Sequence, residues 1–388
     1  MRAERFVDSI FGSATREPGA SWAFTYYLPK PIPRDLHLSA AVIGAMSEAD
    51  AALGHLQGLG MIINDPSLLI GPYARREALA SSRIEGTQAS LSDLLQSEVE
   101  ITFANDDTEE VRRYLRATQL AYELSNTLPI TQRLVLHVHE TLLQGVRDEE
   151  KNPGTLRTSP VWVGKAGATP ETATFVPPLP EHLPDLMTDW EYFVNDEGRH
   201  MPALVQAALM HYQFETIHPF LDGNGRIGRL LINLLLMERG RLDLPLLYLS
   251  SFFENHREEY YEALQGVRER GDADECLLFF MHAVRSQAND AVTRAKRLVK
   301  VREEYLSEAV QTRSRLPALV DLFVRTPVVT VKFVEKNLQL TNQGARDLIK
   351  SATSRGWLTS LGSRGRGGRE FWIAHEILSI MEEPMTYE

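Results

Sequence analysis

Cysteine occurs once in the 388 residues, which excludes an internal disulfide framework. The lone Cys276 sits in the apolar run Cys276-Leu277-Leu278-Phe279-Phe280 and reads as core rather than as a nucleophile. The amino terminus, Met1-Arg2-Ala3-Glu4-Arg5, has no apolar stretch behind it. A signal peptide is therefore not expected, and a reducing cytoplasm is the simplest compartment. Apolar runs are short. Leu230 to Met237 is apolar nearly throughout, but a bilayer span needs ~20 such residues, so no membrane contact is expected. Basic charge is in deficit: 41 Lys and Arg against 52 Asp and Glu leave a net charge of −11, so the surface as a whole is not built for nucleic acid. Cys or His pairs at metal spacing are missing, and His137 and His139 read as ordinary helix residues. What remains, 43% hydrophobic and 24% charged residues, is a globular chain of two or three domains.

One stretch organises the chain. Residues 218–229 read His218-Pro219-Phe220-Leu221-Asp222-Gly223-Asn224-Gly225-Arg226-Ile227-Gly228-Arg229. Ahead of it, Pro202 to Tyr212 carries Ala203, Leu204, Ala207, Ala208 and Met210; behind it, Leu230 to Met237 has the all-round apolar pattern of a buried helix. A polar, glycine-rich loop thus stands between two core helices, and the second opens at Gly225-Arg226. Glycines let a ligand approach the backbone, and the first-turn N–H groups of a helix point at an anion. Arg226 and Arg229, three apart, share a helix face and suit a polyphosphate. Asp222 suits a Mg²⁺ bridging phosphate oxygens. His218 is a base that works near neutral pH. These are the parts for moving a phosphorus-centred group onto a hydroxyl. The alternative is a glycine-rich turn capping a core helix, with two solvated arginines. No Gly-Lys-Ser/Thr follows, so this is not a P-loop, and an EF-hand would need more oxygen ligands and a Glu at its twelfth position.

The stretch resembles the Fic family signature, His-x-Phe-x-Asp/Glu-Gly-Asn-Gly-Arg-x-x-Arg, at every specified position. The resemblance implies a protein adenylyltransferase: AMP passes from ATP to a Ser, Thr or Tyr hydroxyl of a target protein, or of the enzyme itself, and pyrophosphate leaves. On that reading His218 takes the hydroxyl proton and Mg²⁺ sits on Asp222. Gly223, Asn224, Gly225 and Arg226 hold the α- and β-phosphates, Arg229 holds the γ-phosphate, and Ile227 and Gly228 complete the nucleotide loop. A phosphorylating relative has lysine where this chain has Gly225, so the resemblance argues against phosphate transfer. Ser81-x-x-x-Glu85-Gly86 resembles the inhibitory motif found before the core in one Fic class, whose glutamate pairs with the second signature arginine, here Arg229. By residue chemistry alone Glu85 is a solvated acid before a helix-stopping glycine. Arg157-Thr158-x-x-Val161-Trp162-Val163-Gly164, with Pro177-Pro178 after it, is also similar to the family. There a hairpin flap covers the nucleotide and pairs with the target by strand addition; Val163, Gly164, Lys165 and Ala166 then line the pocket. Tyr260 and Tyr261 read as core, or as residues abutting adenine, and matching family positions favour the latter for at least one.

The rest of the chain reads as follows. Residues 1–34 look irregular, with Pro29, Pro31 and Pro33 barring a helix. Helices are expected from Leu36 to Leu59, stopped by Gly58 and Gly60, from Pro66 through Ala80, from Asn105 to Ser125, and from a Thr131 cap to Leu143. Val161-Trp162-Val163 and Thr174-Phe175-Val176 give a hairpin signal. Further helices are expected over Leu183 to Val194, after Ser251, and from Ala273 to Ala309. From Leu316 onward three helices and two strands surround a glycine-rich tip, a winged-helix order. Between Thr341 and Arg369, six cations (Arg346, Lys350, Arg355, Arg364, Arg366 and Arg369) stand against Asp347 alone, which fits DNA phosphates; a protein contact through the same domain is the alternative.

The expected architecture is mainly α. Residues 1–108 form a helical region with the inhibitory motif, 109–300 a Fic-type catalytic domain with a β-hairpin flap, and 312–388 a winged helix. A homodimer is compatible with this reading. Two rivals stay open: removal of AMP from modified proteins, with Glu85 positioning water, and a DNA-binding regulator whose pocket only senses nucleotide. The intact His218 weighs against the second, since a sensor has no use for a base.

Overall fold

The computed structural model describes the chain apart from residues 17–21, 63–64, 101–103, 146–150, 166, 365–367 and 384–388. It is predominantly helical. At the start, β1 (Gly12–Thr15) pairs antiparallel with β2 (Tyr26–Pro29). The sequence predicts an irregular segment here; prolines that bar a helix are tolerated at the end of an edge strand. α1 (Ala40–Ile62) runs through Gly58 and Gly60 instead of ending at them, because a glycine inside a helix costs only ~1 kcal/mol. α2 (Ser67–Ile84) follows Pro66 and is capped by Glu85. α3 (Leu91–Val99), which the sequence reading omits, opens on a capping box between Ser90 and Asp93. α4 (Asp106–Ser125) and α5 (Gln132–Leu143) start where expected, Thr131 accepting from the Leu134 N–H. Among the described residues the predicted hairpin is a single bridge, Val163 opposite Phe175, with the Val163 N–H 2.8 Å from the Phe175 carbonyl.

Next come α6 (Leu183–Tyr192), α7 (Ala203–Ile217), α8 (Asn224–Glu238), α9 (Ser250–Asn255), α10 (Arg257–Arg270) and α11 (Asp274–Ala309). The carboxy-terminal part holds α12 (Leu316–Arg325), β3 (Val328–Val329), α13 (Val331–Leu338), α14 (Asn342–Ser354), β4 (Thr359–Arg364), β5 (Arg369–Ile373) and α15 (His375–Glu382). Strand β3 and helix α15 are additions to the predicted winged-helix order. Among the described residues no helix is long and apolar enough to cross a membrane.

Two compact units form. The first comprises Met1–Gly54, Arg113–Asp243 and Phe252–Arg285. Its centre is the α7–α8 pair, buried along nearly the whole of both helices. Trp190 of α6 is covered completely and donates to the Met210 carbonyl of α7 at 3.2 Å. The β1–β2 hairpin joins this unit through Tyr26, Tyr27, Phe175, Val176 and Leu179, which bury one another.

The second unit comprises His55–Arg112, Leu244–Ser251 and Ser286–Glu388. Here α12, α13 and α14 sit with a sheet of order β3-β5-β4. Thr330 and Thr341 cap α13 and α14 with their hydroxyls. Helix α2 packs on α12 and α15, and α3 on β3. Arg325 reaches Asp65 at 2.5 Å, and Arg369 of the wing pairs with Glu100. The helix that leads to Glu85 and the winged helix are therefore parts of one body.

Candidate functional site

The site is built where α7 stops. Its C-cap is His218, whose backbone is left-handed at φ 50°, ψ 62°. Such a conformation is unusual for a residue with a Cβ and costs on the order of 1–2 kcal/mol. The His218 N–H still closes the helix on the Phe214 carbonyl at 2.9 Å. The chain then turns through Pro219 and the buried Phe220 and re-enters a helix at Asn224. Asn224 braces this turn from within. Its side-chain oxygen accepts from the Phe220 N–H and its amide donates to the Phe220 carbonyl, both at 2.8 Å. Gly223, the N-cap of α8, has φ 79°, and a Cβ there would come within 3.1 Å of Leu142. It offers no side chain to cap the helix, and the N–H groups of a first helical turn suit an anion.

Asp222 lies at the mouth. Its carboxylate is 2.6 Å from Lys151 Nζ, 3.1 Å from Arg226 and 2.5 Å from the Gly223 N–H. Burial pushes its pKa up, but Arg226, Lys151 and the Gly223 N–H outweigh that and hold it below the usual carboxylate range. It is therefore ionised at neutral pH.

His139 props the same turn. Its ring stacks on Phe220 with centroids 3.6 Å apart, and its Nε2 is 3.0 Å from the Asp222 carbonyl. The Gly154 N–H donates to its Nδ1 at 3.0 Å. One ring nitrogen must then accept and the other donate, which requires neutral imidazole. Burial lowers its pKa to about 4, in keeping with that role. His139 is thus a positioning group, not an ordinary helix residue.

The remaining predicted site residues differ in burial and in the unit they belong to. Arg226 and Arg229 are buried at 4% and 2% exposure, so they are not solvated arginines. Ile227 is buried in the core, and a Cβ on Gly228 would collide with Glu215 at 2.4 Å, so both serve packing. Tyr260 is likewise core: it is 3% exposed, stacks on Phe253 and bonds His211 Nε2 at 2.8 Å, while Tyr261 keeps an exposed ring. Gly225 is half-buried. Along the flap, Val163, Gly164 and Lys165 are exposed, and Ala166 lies outside the described residues. Ser81 and Glu85 belong to the second unit, where Ser81 is fully buried and Glu85 is exposed. Arg366 of the wing lies outside the described residues. Sequence reasoning missed the parts played by Lys151 and His139 and took Arg157 only as the start of the flap pattern; no local spacing shows what each of the three holds.

Residues 43–123 match the Fic/DOC family N-terminal model and residues 129–236 the Fic/DOC family model; residues 316–374 match an HTH DNA binding domain. The chain is 28% identical to protein adenylyltransferase fic-1 of Caenorhabditis briggsae over 195 residues, 47% of this chain and 34% of that protein. It is 31% identical to protein adenylyltransferase Fic of Aedes aegypti over 225 residues, 58% of this chain and 39% of that protein. The chain thus spans well under half the length of these two relatives. Among solved structures, a Fic family protein from Desulfovibrio desulfuricans G20 superposes with a TM-score of 0.56 at 20% identity, covering 87% of this chain and 97% of that one, which establishes a shared fold.

Proposed function

We propose that this chain, which belongs to the Fic/DOC family through residues 43–123 and 129–236, is an enzyme that transfers AMP from ATP to a hydroxyl of a protein. The observation that carries the reading is His218, held left-handed directly ahead of an uncapped helix N-terminus, with an ionised carboxylate between them. The acceptor oxygen attacks the α-phosphorus and forms the new P–O bond. The bond from the α-phosphorus to the bridging oxygen breaks, pyrophosphate leaves, and His218 takes the hydroxyl proton. The N–H groups of Asn224, Gly225 and Arg226 hold the phosphates, and the buried Arg229 supplies a second guanidinium for the far end. Tyr261 rather than the enclosed Tyr260 is available to the base.

The fit of Mg²⁺ can be tested on Asp222. Among the described residues no group of three His, Cys, Asp or Glu could hold a metal alone. A single ionised carboxylate suffices for an ion that takes its other ligands from phosphates and water. Asp222 meets that need, and Mg²⁺ bound there would neutralise charge on the polyphosphate. Lys151 and Arg226, which bond Asp222, would stay beside it as orienting cations.

Glu85 is assigned the inhibitory role. As C-cap of α2 it stands at the negative end of a helix, where an acid is disfavoured, so nothing local in α2 asks for it. Catalysis is assigned to residues 109–300 and a DNA contact to the winged helix, whose α14 exposes Asn342, Gln343, Arg346 and Lys350; binding of duplex DNA that weakens steeply with salt would support that contact.

The test is incubation of the purified protein with ATP labelled at either end. Protein-bound label from α-labelled and not from γ-labelled ATP is expected, and His218→Ala should lower it by on the order of 10²–10⁴-fold while ATP binding persists. Label from the γ-position would sink the assignment.

A further inference from the structure

Arg157 is one of the most deeply buried large side chains of the molecule, at 2% exposure. Among the described residues its guanidinium bonds only to main-chain carbonyls: Nε to His218 at 2.8 Å, Nη2 to Pro178 at 2.6 Å and to Ile217 at 3.3 Å, and Nη1 to Ser159 at 3.4 Å. Its own N–H donates to Pro219 at 2.9 Å. Burial lowers its pKa to about 10, with Glu181 pulling the other way. A cation so placed is costly to desolvate, and a leucine or methionine would fill the space without that cost. The charge therefore needs a reason.

The acceptors supply one. Ile217 and His218 carry the last carbonyls of α7, where the helix dipole favours a cation. Ser159 and Pro178 are the two feet of the flap. Only a planar fork can reach all four acceptors at once; a lysine ammonium on its flexible stem cannot. We propose that Arg157 is the positioning residue of the reaction: it holds the His218 backbone left-handed, thereby aims the imidazole, and ties both feet of the flap to that aim. This rests on His218 being the base. The bonds of the Arg157 guanidinium go to main-chain carbonyls behind His218 and at the feet of the flap, so its loss is expected in the turnover step far more than in ATP affinity.

His218-Pro219 is the only His-Pro pair in the sequence. In protein labelled with ¹³C at histidine carbonyls and ¹⁵N at proline, the one coupled carbonyl signal therefore belongs to His218. It reports directly on the bond from Arg157. The experiment records that signal, the kcat for AMP transfer and the ATP Kd in the parent, in Arg157→Met and in the milder Arg157→Lys. Loss of the fork should move the carbonyl signal and lower kcat by about 100-fold in the Met variant, with Lys between, while Kd stays within about threefold. The Lys variant carries the test if the Met variant does not fold. An unmoved carbonyl signal in a folded variant overturns the proposal, as does a moved signal with parental kcat, or a loss that lies wholly in Kd. If the parent transfers no AMP, the functional reading falls, while the carbonyl signal still decides whether Arg157 holds His218.

Discussion

Acid should weaken the first unit through His211. This imidazole of α7 is buried, with Nε2 2.8 Å from the Tyr260 hydroxyl and its ring nearly parallel to that of Phe253. Burial pushes its pKa from 6.5 down to about 3; the Gly228 main chain pulls it up and the charge of Arg229 pushes it further down. The folded value lies below the unfolded one, so the unfolded chain takes the proton first as pH falls. Stability is intact above pH ~6.5 and drains away from there towards pH ~3. Comparing proton binding by the two states, the loss at pH 5 is about 2 kcal/mol. The unit holds about 220 residues, a size at which each kcal/mol moves Tm by ~2–4 °C, so the deficit is about 4–8 °C. His211→Gln retains a polar partner for the Tyr260 hydroxyl and cannot titrate. Thermal melts of both proteins at pH 7 and pH 5 give the difference directly. Parallel falls in Tm would refute the argument, because the parent's excess sensitivity is assigned to this one group.

Three further outcomes are expected. Asn224→Ala strands the buried N–H and carbonyl of Phe220; with ~1–3 kcal/mol for each of the two unsatisfied groups, chemical unfolding should show a loss of about 2–6 kcal/mol, and an unchanged midpoint would mean that water replaces the amide. Glu85→Gly should raise self-labelling from α-labelled ATP, and Arg229→Ala added to it should remove the gain; equal labelling of folded parent and Glu85→Gly protein would rule out inhibition by Glu85. Deleting residues 312–388 uncovers the faces of α2 and α3 that pack on α12 and β3, so the truncated protein should melt lower than the parent, and an unchanged Tm would show that the second unit stands without its winged helix.

What could be read from the sequence was local. Helix α8 was legible because Leu230 to Met237 is apolar nearly all round and a glycine-rich polar loop stands directly ahead of it. The winged helix was legible from a change of period, from helical spacing to Trp357-Leu358-Thr359 and Phe371-Trp372-Ile373, around a glycine tip. The β1–β2 hairpin was not, since Gly12–Thr15 carries little strand preference of its own and is a strand only through its pairing with Tyr26–Pro29. The flap was legible as a signal but came out as one bridge, because pairing stops where Gly164 and the residues beyond it give no ladder.

The site divides along the same line. The residues that face a ligand are adjacent in the chain, so a twelve-residue pattern captures them. The residues that hold the pattern in shape arrive from 61 to 83 positions away: Arg157 on the His218 carbonyl, Lys151 on the Asp222 carboxylate and His139 on the Asp222 carbonyl. Each bonds to what any chain would present at that place, a carbonyl or an acid, so no special residue at 218–229 announces the partner. The strain explains why partners are needed at all. His218 departs from the right-handed helix into a conformation that its own neighbours do not favour, and such backbone persists only where the surroundings over-determine it. A glycine at that position would relieve the strain and lose the base. A histidine there keeps the base and must be held from outside the loop, and the buried guanidinium of Arg157 is where that hold is exerted.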